Sequence, residues 1–98
     1  MTRFDTVTCL TDMGISDESV GLLHSILRDL SPASRVIDLC HDIQPGDVRA
    51  GSLMLARSVP YLASGLVLAS VGSVLDRPAV AVEVGDGQAV LVGPDNGL

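Results

Sequence analysis

Two periodicities alternate along the first two thirds of the chain. The apolar run DTVTCL (residues 5–10) is followed by the polar segment TDMGISD (residues 11–17). Then Val20, Leu23, Leu27 and Leu30, with Ile26 flanking, recur at the three-to-four-residue spacing of one helix face. Ser16 is the expected N-cap of that helix, with Asp17 and Glu18 in its first turn, where the helix dipole favours negative charge. SPAS at residues 31–34 ends it, because Pro32 disfavours helical geometry at the preceding residue. RVIDLC (Arg35–Cys40) predicts a second strand. After HDIQPGD (residues 41–47), Asp47 is placed to cap a second helix running through VRAGSLMLARSV to the neighbourhood of Pro60. GLVLASV (residues 65–71) predicts a third strand, of the continuously apolar kind that is covered on both faces. Beyond it, AVAVEV and QAVLVG flank GDG, a tight-turn signal, and predict a hairpin over residues 79–92.

The expected fold is therefore α/β: a parallel, Rossmann-like β-α-β-α-β core with a C-terminal β-hairpin, the crossovers long enough to be right-handed. Ligands of such open sheets bind beyond the carboxyl ends of the strands. Here that edge is built from loops 11–17, 41–47 and 72–77.

Composition narrows the chemistry. The chain has 98 residues, 47% of them hydrophobic, enough for one domain and its core. A net charge of −6 argues against a grip on a phosphate backbone, and one Phe, one Tyr and no Trp leave few platforms for stacked bases. No apolar stretch approaches the ~20 residues of a membrane span. The opening MTRFDTVTCL is unlike a signal peptide, so a cytoplasmic location is expected, with no nucleic-acid and no membrane partner. Cys9 and Cys40 read as small buried hydrophobes; with no C-x-x-C spacing, no metal is expected. His41 reads as a structural hydrogen-bonder at the end of a strand, and His24 as a flank residue of the first helix.

The first loop is acidic and carries a single glycine, the reverse of a phosphate cradle. Asp12 falls at the tip of the first strand, where a carboxylate can accept two hydrogen bonds from a vicinal diol such as a ribose. The competing role is a turn aspartate bonded to its own backbone. Asp17 has two alternatives of its own, a helix-terminus charge or a contact with a ligand ammonium group.

The strings LTDMGISDESVG, RVIDLCHDIQPGDVRAGSLMLA and LVGPDNGL, in this order and spacing, resemble the N-terminal domain of the S-adenosylmethionine hydroxide adenosyltransferases, relatives of the fluorinating and chlorinating enzymes. The resemblance covers nearly the whole chain and implies S-adenosylmethionine as substrate, hydrolysed to adenosine and methionine, without a cofactor. It places Asp12 on the ribose hydroxyls and Asp17 and Ser19 near the methionine amino group. Gly46 falls where the halogenating relatives carry a stacking tryptophan, which points to the hydroxide-using branch. The family assembles as a homotrimer with the site between subunits. The chain is accordingly expected to be a partial N-terminal domain, the C-terminal domain being absent.

One segment departs from the family pattern. Where the hydrolases carry V-D-P-G-V-G-T-x-R, this chain has ASVGSVLDR. Arg77 matches the catalytic arginine, whereas the water-organising aspartate has no counterpart at its spacing. The two expected functions are thus an S-adenosylmethionine hydrolase, inactive in the form given by these residues alone, and a non-catalytic remnant acting as an interaction or weak nucleoside-binding module.

Overall fold

The structure, a computed structural model, describes residues 5–72, 79–84 and 89–94. The elements follow in the order β1 (Thr6–Thr11), α1 (Ser19–Leu30), β2 (Arg35–Cys40), α2 (Val48–Ser58), a short 3-10 turn (Val59–Tyr61), β3 (Gly65–Ser70), β4 (Ala79–Val84) and β5 (Ala89–Pro94). They form one five-stranded sheet in the order β2-β1-β3-β5-β4. β1 runs parallel to both β2 and β3, β3 runs parallel to β5, and only β4 is antiparallel, on β5 at the sheet edge. The expected α/β class and parallel core are observed, and the two C-terminal strands pair as a hairpin. That hairpin joins β3 through its second strand, an order that local periodicity does not encode. The GDG turn between the strands lies outside the described residues.

The chain moves from β1 to β2 on one side and then returns past β1 to β3 on the other. Right-handed crossovers consequently place α1 and α2 on opposite faces. On one face Leu10, Val67, Ala69 and Val71 pack with Leu55 of α2 and Ile43 of the preceding loop. On the other, His24 of α1 reaches Asp38, the register neighbour of Cys9. Central β1 is covered on both sides, and all five residues from Val7 to Thr11 are buried.

The two helices start differently. Asp47 caps α2 as expected, its carboxylate accepting from the Ala50 amide at 3.0 Å. α1 departs from expectation. It begins at Ser19, so Asp17 and Glu18 precede its first turn, and Ser16 is not its cap. The Asp17 carboxylate instead accepts from the Ser19 amide at 2.9 Å, satisfying from two residues upstream an amide that the helix leaves free. The expected apolar face of α1 is only partly used: Val20, Leu23 and Leu27 are half-buried, while Ile26 and Leu30 are exposed along with Leu22.

In central β1, Thr8 is 1% exposed, and among the described residues its hydroxyl has no hydrogen-bond partner. An unmade bond to a buried hydroxyl costs roughly 1–3 kcal/mol. Thr8→Val keeps the shape and removes the polar atom, so it is expected to stabilise the protein by about 1 kcal/mol. An upward shift of the urea midpoint at unchanged slope is the readout; a downward shift would show that the hydroxyl is satisfied.

Candidate functional site: the acidic edge of the sheet

β1 delivers Asp12 one residue beyond its last paired position, at the carboxyl edge where the sheet changes winding direction. Its Oδ2 accepts from the Gly46 amide at 2.8 Å and from the Gly72 amide at 3.0 Å. The Asp12 amide in turn donates to the Ser70 carbonyl, and Gly14 donates to the His41 carbonyl at 2.7 Å. One carboxylate thus ties together the loops after β1, β2 and β3, the three that sequence placed on a common edge. Gly46 and Gly72 adopt positive φ, 78° and 91°, the left-handed conformation that turns their amides toward Asp12. A side chain at position 46 would meet no atom within 4 Å but would strain that backbone.

These bonds refine the reading of Asp12. It is not a local turn aspartate, since the amide two residues on, that of Gly14, donates to the His41 carbonyl at 2.7 Å instead. Nor are both of its oxygens available to a diol, because Oδ2 already carries two amides. Among the described residues no donor reaches Oδ1. Asp17 and Ser19 are bonded to each other at the start of α1, and among the described residues no hydrogen bond joins either to Asp12. The Ser19 amide holds the Asp17 carboxyl below its ordinary value. Arg77 and most of the third loop lie outside the described residues.

Sequence reading missed a second constellation behind this edge. The β1–β2 register passes from Cys9 opposite Asp38 to Leu10 opposite Cys40, so Leu39 is an extra residue on β2. A strand alternates faces every residue, which would set Asp38 and His41 on opposite sides; the bulge advances the alternation by one and brings them together. The His41 Nε2 then lies 2.6 Å from Asp38 Oδ1, and its Nδ1 lies 2.6 Å from the Thr11 hydroxyl. The His24 Nε2 reaches Asp38 from α1, 2.9 Å from Oδ2 and 3.0 Å from Oδ1. His41 is buried, as expected of a structural histidine, while His24 and Asp38 are partly open to solvent. Burial works to raise the Asp38 pKa, but hydrogen bonds from His41 and His24 outweigh it and hold the carboxyl below the usual range. D-x-x-H around an apolar pair was the available sequence signal; the contribution of His24 was not readable at all.

Cys9 is inert by the same geometry. Burial first, and the nearby Asp38 charge second, push its thiol from 9.0 to about 11. The native thiol therefore keeps its proton where the unfolded chain has begun to lose it. Its contribution to stability is complete below about pH 9 and is lost as pH rises through about 11. At pH 8 only about one Cys9 in a thousand is thiolate, so iodoacetamide should label Cys9 at the rate of unfolding, and half-buried Cys40 first. Equal labelling of both thiols in the native protein would contradict this.

No described helix is long and apolar enough to cross a membrane. Residues 7–98 match the SAM hydroxide adenosyltransferase N-terminal domain. The chain is 47% identical over 94 residues to an (R)-S-adenosyl-L-methionine hydrolase of Salinispora tropica, and 37% identical over 92 residues to one of Thermus thermophilus. Those alignments take in 94% and 91% of this chain but 35% of each relative, so the chain spans about a third of their length. A fluorinase of Nocardia brasiliensis is 28% identical over 68 residues. Among solved structures, an uncharacterized conserved protein from Thermotoga maritima superposes with a TM-score of 0.80 at 29% identity, over 92% of this chain and 35% of that one. A conserved hypothetical protein from Thermus thermophilus gives 0.78 at 34% identity, over 95% and 39%. With a family match running from the second residue of β1 to Leu98, the chain belongs to the SAM hydroxide adenosyltransferase N-terminal domain family.

Proposed function

We infer that this chain carries the ribose-binding edge of an S-adenosylmethionine hydrolase, the activity that yields adenosine and methionine. The observation that carries the reading is the position of Asp12 at the carboxyl edge of the sheet: its Oδ2 is anchored by two loop amides, while among the described residues no donor reaches Oδ1. An anchored carboxylate is preorganised to accept from a sugar hydroxyl, and the neighbouring acidic loop suits a ligand with a cationic methionine end rather than phosphates. Asp17 and Ser19 are assigned to that amino group, and Arg77 to the nucleophilic water. No resident cofactor is required, since the sulfonium is itself a good leaving group; the protein's work is to position and desolvate the incoming water.

The longer relatives, named hydrolases, support the reaction class. The ASVGSVLDR segment, lacking the motif aspartate, supports a division of labour in which these 98 residues bind nucleoside without turning substrate over. Assembly as a homotrimer and residence in the cytoplasm belong to the same proposal. The test is chromatographic assay for adenosine after incubation with S-adenosylmethionine, beside calorimetry with adenosine. Adenosine binding with product at the protein-free rate is expected. Turnover abolished by Arg77→Ala would assign chemistry to the chain by itself, and failure to bind adenosine would favour the remnant with an interaction role.

A further inference from the structure

The constellation behind the edge remains unused by that function. His24, Asp38 and His41 offer Nε2, a carboxylate oxygen and Nε2 within 4.8 Å of one another. We propose that these three side chains form a binding site for a divalent transition metal of imidazole preference, with Zn2+ as the reference ion, joining α1 to the end of β2.

Four observations favour it. The donor set, two imidazoles and one carboxylate, is one that zinc takes with a fourth position left to water. Bonds of about 2.0 Å in tetrahedral geometry put neighbouring ligand atoms roughly 3.3 Å apart. The hydrogen bonds from Asp38 to His41 at 2.6 Å and to His24 at 2.9 Å already hold the three donor atoms within 4.8 Å of one another, close to that spacing. His41 has the outer partner that metal-bound histidines require. With its Nε2 on the metal, the ring proton sits on Nδ1, where the Thr11 hydroxyl oxygen is 2.6 Å away to accept it. An entry path exists as well, for His24 and Asp38 are partly exposed and His24 also lines an open cleft of about 450 Å³ between α1 and β2.

The site has a structural use. No residue of α1 is fully buried, so apolar packing holds this helix weakly, and a metal bridge from His24 to Asp38 and His41 would fasten it to the sheet. Because Thr11 immediately precedes Asp12, the same bridge would stiffen the loop that carries the carboxylate. The bulge at Leu39 is what makes the bridge possible, since without it His41 faces away from Asp38.

Titration of the 98-residue chain with ZnCl2 in a calorimeter, with thermal melts and Co2+ absorption spectra alongside, tests the proposal. One Zn2+ per chain, a melting temperature that rises with zinc, and cobalt bands free of thiolate charge transfer are expected. His24→Ala, a change at a partly exposed position that should leave the fold intact by circular dichroism, is expected to weaken zinc at least about tenfold and to abolish the thermal shift. Asp38→Asn should do the same where it folds. Absence of zinc binding, unchanged affinity in folded His24→Ala, or a cobalt–thiolate band reporting Cys40 would each overturn it.

Discussion

Gly65→Ala is expected to destabilise the protein by about 2–4 kcal/mol, a large share of the roughly 5–15 kcal/mol that holds a domain together. Gly65 opens β3 with φ at 143°, and a Cβ built there would lie within clashing distance of the Thr6 carbonyl oxygen and 3.2 Å from its carbon. The obstacle is backbone, so no rotamer change relieves it. β1 and β3 are locked in register from Val7 opposite Leu66 to Thr11 opposite Ser70, and separating them at one end disturbs the ladder that positions Asp12. Backbone strain and forced overpacking cost about 1–3 kcal/mol each. Urea denaturation of the two proteins at one temperature checks the figure. A loss below about 0.5 kcal/mol would mean that the strand end yields freely.

Substitution at Asp12 should separate architecture from ligand binding. Asp12→Ala removes the acceptor for two amides and is expected to cost about 2–3 kcal/mol, less than two fully buried charge-assisted bonds because the residue is partly open to water. Asp12→Asn keeps an oxygen for Gly46 and Gly72, so its stability should fall within about 1 kcal/mol of the parent. It loses the charge assigned to the ribose in the proposed function, so adenosine affinity is expected to fall about tenfold to a hundredfold, the equivalent of roughly 1–3 kcal/mol. Calorimetry and denaturation on the same preparations provide the two readouts. Equal adenosine affinity in the parent and Asp12→Asn would reject the ribose assignment even where the alanine variant is destabilised.

The positions of these residues show what local pattern conveys. The switch between continuous apolar runs and helical spacing identified β1, β2, β3 and both helices to within a residue or two at most ends. The largest error was the start of α1, because Asp17 satisfies the Ser19 amide from outside the helix where Ser16 was expected to cap it. Asp47 was legible because its bond to Ala50 spans three residues. The family, too, was legible, since its motifs survive as contiguous strings.

Sequence by itself thus determined the α/β class, the parallel core, the carboxyl-edge loops and the acidic character of the first of them. These follow from side-chain periods and short-range hydrogen bonds, which act within a few residues. Tertiary structure decided the rest. Asp12 spends one oxygen on amides 34 and 60 residues away, a partnership that exists only once three strands are in register. Gly65 is constrained by a carbonyl on a different strand. His24, Asp38 and His41 meet because one extra residue on β2 reverses the facing of those that follow, and because a right-handed crossover lays α1 over that face. A one-residue phase shift leaves almost no trace in composition or hydropathy, yet it turns every later side chain to the opposite side of the sheet.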